Sequence, residues 1–218
     1  MSLEYKTKPS QSGENNALVI FLHGYGADGA DLLGLSQPLG QYMPNTVFVA
    51  PDAPEPCVGN PFGYQWFPVP WIDGASQEAM LSSIATSSEK LYTFWDEIAQ
   101  ETGVASENTT LVGFSQGTMM SLQCGPTRDP GFAAIVGFSG RLMDTELIND
   151  AKSKPPIQLI HGDQDEMVDY GSMASAETAL KGAGFDVATH TSNGIGHGIA
   201  PDGLSVALQF LKANLPNS

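Results

Sequence analysis

The sequence predicts an α/β fold in which a mostly parallel sheet is covered by helices on both faces. Short apolar runs rich in Val, Ile, Leu and Phe alternate along the chain with stretches of helical pattern, an order typical of a parallel sheet. The first run, residues 17–22, is apolar without interruption, as expected of a strand buried on both faces. A length of 218 residues predicts one domain, residues 1–218.

The individual elements follow from these runs and from the spacing of apolar residues. The predicted strands are residues 17–22, 46–50, 109–112, 132–138, 157–160 and a weaker, half-polar edge strand, 186–191. The predicted helices are residues 31–43, 77–101, 116–124, 172–181 and 204–215. In such folds ligands bind in the loops at the carboxyl ends of the strands, so the residues that follow each strand are the candidates for chemistry.

The composition narrows the classes of function. The 24 acidic residues outnumber nine Lys and Arg, giving a net charge of −15, which repels nucleic-acid phosphates and anionic lipid headgroups. The first residues lack an apolar core of signal-peptide length, and the run 17–22 is too short to span a bilayer. We therefore expect a cytoplasmic protein without stable membrane insertion. Cys57 and Cys124 favour free thiols, with a disulfide left open.

One segment, residues 51–74, interrupts the alternation of strands and helices. It carries repeated prolines, which argue against regular structure, and many aromatic residues, which argue against a solvated linker. It is interpreted both as an ordered loop packed over the core and as an apolar wall beside an active site. We predict that Trp66, Phe67 and Trp71 of this segment bind substrate.

The pattern Gly113-Phe114-Ser115-Gln116-Gly117 is the candidate nucleophile turn. Alone it is weak, since a serine in an ordinary turn matches it too. Here it stands between a buried-strand pattern and a helical pattern, the context that a nucleophile elbow requires. A side chain at Gly113 or Gly117 is expected to collide with the tightly folded chain, and the following helix directs its free N–H groups at a developing oxyanion.

The general base is sought among the three histidines that follow Ser115, because in this arrangement the chain order is Ser, acid, His. His197 lies in a glycine-rich loop after the last strand, from which an imidazole can reach the carboxyl ends of the strands. His161 directly ends a strand, which indicates a structural role. His190 falls inside the edge-strand pattern, where we expect it to be exposed. His197 is therefore the candidate base.

The carboxylate partner is sought after the strand 157–160, where Asp163 and Asp165 compete. Asp165 is favoured because it stands further round the loop, closer to a histidine from the next loop. With Glu166 and Asp169 these residues are also compatible with a calcium site, but the spacing of an EF-hand is absent. A solvated acidic turn is the other alternative.

The oxyanion hole needs two backbone donors. The N–H of Gln116, directly after the nucleophile, is one candidate. The N–H of Tyr25, in the turn His23-Gly24-Tyr25-Gly26 after the first core strand, is the other. We expect His23 to hold that turn by hydrogen bonds and not to titrate in catalysis.

The segments LHGYGADGADLLGL, APDAPEPC, GFSQGTMM, HGDQDEMVD and GIGHGIAPDGL occur in this order over almost the whole chain. Together they resemble the phospholipase/carboxylesterase family of small α/β-hydrolases. The resemblance implies an α/β-hydrolase fold with no large cap domain, the triad Ser115, Asp165 and His197, and oxyanion donors at Tyr25 and Gln116. Two residues depart from the family: Thr118 stands where a second glycine is frequent, and Tyr25 where leucine is frequent. Both departures bear on acyl-chain preference.

The predicted activity is hydrolysis of carboxylic esters through an acyl-serine intermediate, with no metal and no cofactor. An acyl-protein thioesterase or lysophospholipase acting on longer acyl chains is the first alternative, and a non-catalytic binding module is the second. The expected partner is a small ester or thioester. The oligomeric state stays open, with a homodimer among the possibilities.

Overall fold

The computed structural model of the chain describes residues 3–145, 148 and 151–216. Its strands are β1 (Tyr5–Lys8), β2 (Ala17–Leu22), β3 (Thr46–Pro51), β4 (Glu55–Pro56), β5 (Tyr64–Gln65), β6 (Thr109–Phe114), β7 (Ala134–Phe138), β8 (Ile157–Gly162) and β9 (Val187–Ser192). Its α-helices are α1 (Gly29–Leu33), α2 (Ser36–Gly40), α3 (Pro70–Asp73), α4 (Gln77–Thr102), α5 (Gln116–Cys124), α6 (Gly171–Gly182) and α7 (Pro201–Asn214).

Seven of the strands form one sheet in the order β1-β3-β2-β6-β7-β8-β9. Only β1 runs antiparallel to its neighbour, β3; the other pairs are parallel. The four central strands, β2, β6, β7 and β8, are thus aligned with their carboxyl ends at one edge of the sheet. That edge carries the loops that contain the predicted site residues.

Two hydrophobic layers sandwich this sheet. Along β2, alternate residues face opposite layers: Leu18, Ile20 and Leu22 pack with α4, α5 and α6, whereas Ala17, Val19 and Phe21 pack with α1, α2 and α7. This period of two is what a strand buried on both faces requires. The predicted mostly parallel sheet with helices on both faces is confirmed.

Several predicted boundaries are corrected. The predicted helix 31–43 is two short helices, α1 and α2, because the chain turns at Gly34, whose N–H bonds to Asp31 O three residues back. Helix α7 begins three residues earlier than predicted, with Pro201 in the first turn, where a missing N–H costs nothing. Strand β9 lies at the edge of the sheet, as predicted.

The segment 51–74 contains more regular structure than its prolines suggested. Strands β4 and β5 pair as a small ladder, and α3 begins at Pro70. Tyr64 ties the segment to the turn after β2, since its carbonyl accepts from Gly26 N–H (2.9 Å) and its N–H donates to Ala27 O (2.8 Å). We call residues 54–74 the aromatic loop; it is ordered and packs over the core.

Two further features concern predictions made from composition. Cys57 and Cys124 are both buried free thiols, so the disulfide alternative is wrong. Among the residues that the structure describes, no helix has both the length and the apolar character needed to cross a bilayer.

Candidate active site

The nucleophile candidate Ser115 lies between β6 and α5 in a backbone conformation that few side chains adopt. Its φ and ψ are 53° and −114°, and its N–H donates to Phe138 O of the neighbouring strand (2.9 Å). A Cβ built at Gly117 lies 1.8 Å from Leu22 O, and one at Gly113 lies 2.4 Å from Thr118 N. The predicted need for glycine at both positions is confirmed. The strained conformation persists because its surroundings determine it.

Thr118 fits beside this elbow because two glycines leave room for it. Its hydroxyl donates to Phe138 O (2.8 Å), the same carbonyl that accepts from Ser115 N–H. A Cβ at Gly137 lies 2.5 Å from the Thr118 methyl group, and one at Gly140 lies 2.4 Å from it. The added bulk is accommodated by the β7 side of the elbow.

Asp165 follows β8, and both of its carboxylate oxygens accept hydrogen bonds. Oδ1 accepts from the N–H groups of Met167 and Val168, each at 2.9 Å, and Oδ2 accepts from His197 Nδ1 at 2.8 Å. The side chain has no exposed surface. Burial raises the pKa of Asp165, but the hydrogen bonds from Val168 and His197 outweigh it, so the pKa lies below its usual range. The carboxylate is therefore ionised at neutral pH.

His161 makes a second imidazole contact to the same carboxylate. Its Nε2 lies 3.1 Å from Asp165 Oδ2 and 3.0 Å from Val168 O. A ring nitrogen that faces two acceptors must carry the proton, and its hydrogen bond is to Val168 O, with Asp165 Oδ2 in close contact beside it. The sequence prediction gave His161 only a structural role. Its spacing of four residues from Asp165, directly after a strand, is the signal that could have indicated this contact.

Asp163 holds the glycine-rich loop that carries His197. Its Oδ1 accepts from Gly194 N–H (2.7 Å), and the neighbouring Gln164 N–H donates to Ile195 O (2.9 Å). Of the two competing carboxylates, Asp165 is thus the one hydrogen-bonded to His197. Asp169 likewise accepts from Gly171 N–H (2.9 Å). Carboxylates turned towards N–H groups do not support the calcium alternative.

His197 lies beside the nucleophile turn, where its ring contacts the ring of Phe114. The His197 and Phe114 rings lie 4.9 Å apart, and Phe114 directly precedes Ser115. The Ser115 hydroxyl and His197 Nε2, both in the described part of the chain, are not hydrogen-bonded to each other. Such contacts are often long in the absence of substrate and tighten in the reacting complex.

His23 fixes the turn that carries Tyr25. The ring is fully buried; Nδ1 lies 2.7 Å from Gly24 O, and Nε2 accepts from Ala53 N–H (2.9 Å). Burial lowers the pKa of His23 below its usual value, so the ring is neutral with its proton on Nδ1. Because Gly24 C=O and Tyr25 N–H belong to one planar peptide, holding the first orients the second. These contacts agree with the prediction that His23 holds this turn by hydrogen bonds.

The two predicted oxyanion donors have free N–H groups. Within residues 3–145, 148 and 151–216, neither Tyr25 N–H nor Gln116 N–H donates to an acceptor in a turn, loop or side chain. Gln116 is the first residue of α5 and has no partner within the helix. Its side chain bridges to the aromatic loop, since Oε1 accepts from Trp66 N–H (3.1 Å) and Nε2 donates to Phe67 O (2.7 Å).

The three aromatic residues predicted to bind substrate differ in exposure. Trp66 has no exposed surface and donates from Nε1 to His23 O (2.9 Å), and Phe67 is buried beside it. Trp71 is 69% exposed and carries the Arg141 guanidinium over its ring at 5.5 Å. In this conformation only Trp71 offers its ring to a ligand, whereas Trp66 and Phe67 support the loop from within.

A small cavity lies next to the nucleophile turn. It has a volume of about 250 Å³ and is lined by Asp31, Leu32, Leu35, Phe114 and Ile199. Phe114 directly precedes Ser115, and Ile199 stands two residues after His197. The volume is below the roughly 300–1,000 Å³ typical of sites for drug-sized ligands.

Comparison with known proteins identifies the family. Residues 6–215 match the model of the phospholipase/carboxylesterase family. The chain belongs to this family. It is 30% identical to "Esterase YpfH" of Escherichia coli over 96% of this chain and 85% of that protein. It is also 30% identical to "Acyl-protein thioesterase 1" of Gibberella zeae, over 94% of this chain and 93% of that protein.

Solved structures agree with this assignment. The crystal structure of esterase PE8 superposes with a TM-score of 0.92 at 42% identity, covering 99% of this chain and 100% of that one. The structure of Arabidopsis thaliana SOBER1 superposes with a TM-score of 0.78 at 23% identity over 92% of this chain and 99% of that one, which supports the fold alone. The fold is that of the α/β-hydrolases without a large cap, and the chain is an enzyme of the serine hydrolase class.

Proposed function

We propose that the chain is a serine carboxylesterase whose triad is Ser115, Asp165 and His197. The observation that carries this is the hydrogen bond between the buried Asp165 carboxylate and His197 Nδ1 (2.8 Å), on the sheet edge where Ser115 stands in its strained elbow. That bond leaves His197 Nε2 as the basic nitrogen of a neutral ring. The order and roles are those of a Ser-His-Asp triad.

The reaction then follows in two halves. Ser115 Oγ attacks the ester carbonyl carbon, its proton moves to His197 Nε2, and Asp165 stabilises the imidazolium. The tetrahedral oxyanion accepts hydrogen bonds from the N–H groups of Tyr25 and Gln116. The intermediate expels the alcohol, which takes the proton from His197. Water then attacks the acyl-serine with His197 as base, releasing the acid and restoring Ser115.

The small cavity beside Phe114 supports esters with a short acyl or alcohol group as substrates. Four of its five lining residues are apolar, Asp31 is the fifth, and its volume of about 250 Å³ suits a small substituent. The small-molecule substrate expected from the sequence is consistent with this size. The two free thiols support the cytoplasmic location expected from the composition.

Replacing the nucleophile tests the function. We expect Ser115→Ala to lower kcat for a p-nitrophenyl ester by about 10⁴ or more while the fold stays intact. A fluorophosphonate should label the wild-type protein and leave Ser115→Ala unlabelled. Turnover by purified Ser115→Ala close to that of the wild type, with circular dichroism unchanged, would refute the assignment.

A second candidate, action on longer acyl chains as in a thioesterase or lysophospholipase, is favoured by exposed apolar side chains on the aromatic loop. Phe62 is 89% exposed, and Trp71 and Ile72 are 69% and 48% exposed. A series of p-nitrophenyl esters and acyl thioesters of increasing length separates the two candidates. A fall in kcat/KM beyond about four carbons favours the short-chain esterase, and a sustained or rising value favours the second candidate.

A further inference from the structure

The side chain of Tyr25 extends from the turn after β2 to the aromatic loop. Its hydroxyl donates to Asp73 Oδ1. Asp73 is the last residue of α3, and its other oxygen accepts from Val69 N–H at 2.6 Å. The Asp73 N–H in turn donates to Val69 O (2.8 Å). The Asp73 carboxylate, which accepts the hydrogen bond from the phenol, is therefore fixed within its own helical turn.

The phenol stays protonated in this contact. Burial and then the hydrogen bond to Asp73 raise the pKa of Tyr25 far above its ordinary value. The side chain is half-buried, and a Cβ built at Gly59 lies 3.1 Å from its phenol oxygen. At neutral pH Tyr25 therefore donates its phenol proton to Asp73.

The main chain around Tyr25 is held on both sides. The preceding peptide is held by His23 Nδ1 at Gly24 O (2.7 Å). The following peptide is held through Gly26 N–H, which donates to Tyr64 O (2.9 Å), and the next peptide through Gly26 O, which accepts from Asn60 Nδ2 (2.8 Å). Tyr64 and Asn60 both belong to the aromatic loop.

Both oxyanion donors are consequently attached to the same loop. Gln116 reaches it through its amide at Trp66 and Phe67, and Tyr25 reaches it through its phenol at Asp73. We propose that Asp73 is a positioning residue for the oxyanion hole, which it orients by holding the Tyr25 side chain from the aromatic loop. This proposal rests on the proposed function, in which Tyr25 N–H stabilises the tetrahedral intermediate.

Loss of the contact between Tyr25 and Asp73 should lower turnover more than it weakens substrate binding. A displaced oxyanion donor weakens the transition state more than the ground state, because the oxyanion forms only during the reaction. Tyr25→Phe, which removes the hydroxyl alone, should lower kcat by about tenfold, a fraction of the roughly 10²–10³ lost when a donor is removed. KM should change less than about twofold. Asp73→Ala should have a similar effect on kcat.

A double-mutant cycle shows whether the two side chains act together. If Asp73 acts through the Tyr25 hydroxyl, the double variant Tyr25→Phe/Asp73→Ala should be no slower than the slower single variant. Losses that multiply would overturn the proposal. Tyr92→Phe is the matched control, because Tyr92 lies on α4, away from the site, and its phenol oxygen accepts from Thr127 Oγ1 (3.0 Å). Its kcat should equal that of the wild type.

A pair of ketone inhibitors tests the oxyanion directly. A trifluoromethyl ketone adds to the nucleophile as a tetrahedral oxyanion, whereas the matching methyl ketone binds as the intact carbonyl. In Tyr25→Phe the inhibition constant of the first should rise about tenfold, in step with the fall in kcat, and that of the second should stay constant. Equal changes for both ketones, a rise in KM alone, or a kcat within twofold of the wild type would overturn the proposal.

These outcomes are distinct from failure of the proposed function. A wild-type protein that neither hydrolyses esters nor reacts with a fluorophosphonate at Ser115 would refute the function and, with it, the positioning role. An active wild type with an unchanged Tyr25→Phe variant would refute the positioning role alone. Thermal unfolding of each variant identifies any loss that follows from unfolding, and Tyr25→Phe, the milder change, decides the case if Asp73→Ala folds poorly.

Discussion

Asp165 shares one carboxylate oxygen between two imidazoles. His197 Nδ1 donates to Oδ2 at 2.8 Å, and His161 Nε2, which is hydrogen-bonded to Val168 O, lies 3.1 Å from the same oxygen. His161 therefore restrains the carboxylate that orients His197, and it does so from a side chain only 1% exposed. His161 therefore influences the proposed triad through Asp165 and does not itself contact the substrate.

We predict that His161→Leu lowers kcat by about tenfold, whereas His161→Gln retains most of the activity because its amide can donate from nearly the same place. Hydrogen-bond partners of metal-ligating side chains change activity by about 10- to 100-fold, and we expect the lower end for this contact. Steady-state kinetics of both variants, with thermal unfolding as the measure of folding, tests this. Equal losses in two equally stable variants would show that the N–H donor is irrelevant.

At the residue scale, the sequence was informative for the proposed triad, because its members occur in the fixed chain order Ser, acid, His. Ser115, Asp165 and His197 were found because strand patterns precede each of them, and their functional roles remain predictions. The contacts of Tyr25 with Asp73 and of Gln116 with Trp66 were not predictable, because they join residues 48 and 50 positions apart with no shared local pattern. Only the packing of the aromatic loop brings these pairs together.

At the scale of elements, helix α5 depends on its close approach to the end of β2. A Cβ at Gly117 would lie 1.8 Å from Leu22 O, a backbone atom that cannot move without shifting the strand. We predict that Gly117→Ala destabilises the protein by about 3 kcal/mol or more, at the upper end of overpacking effects, and lowers kcat further by displacing Ser115. Urea unfolding and steady-state kinetics measure the two effects.

Gly182→Ala provides the matched control. Gly182 ends α6, its added Cβ meets nothing within 4 Å, and its backbone does not require glycine. We expect its stability to change by less than about 1 kcal/mol, in the stabilising direction, because alanine favours the helix. A Gly117→Ala variant as stable as Gly182→Ala would mean that the elbow tolerates a wider separation from β2.

Among the described strands of the seven-stranded sheet, β1 is the one that the sequence patterns missed. Strand β1, Tyr-Lys-Thr-Lys, has no apolar run, and it forms because its backbone pairs with β3 in the register Tyr5↔Pro51 to Lys8↔Phe48. The central strands were predicted because burial on both faces leaves a continuous apolar run in the sequence. The backbone pairing of the polar strand β1 leaves no such run.

At the scale of the whole molecule, the buried His23 links stability to pH. Burial lowers the pKa of His23, opposed by the Gly24 carbonyl and by Asp52, so the unfolded chain takes up a proton that the folded protein does not. The contribution of the neutral His23 ring to the free energy of unfolding is fully present above about pH 6.5. It is lost as the pH falls below that value, with a slope of at most about 1.4 kcal/mol per pH unit for one proton. Asp165, whose pKa is also lowered, adds a second loss below about pH 4.

We predict that His23→Asn flattens the dependence of the unfolding free energy on pH between about 6.5 and 5. Asparagine keeps a donor for Gly24 O but cannot titrate. Urea unfolding at a series of pH values measures the slope. An identical slope in wild type and His23→Asn would contradict the prediction.

The fit of Thr118 between Gly137 and Gly140 has a consequence for how this sequence can diverge. The methyl group that fills the space beside the elbow also forbids a side chain at either glycine. With Thr118 in place, alanine at position 137 or 140 requires a smaller residue at position 118 first. Substitutions at positions 118, 137 and 140 are therefore coupled, and the order in which they occur matters as much as their identity.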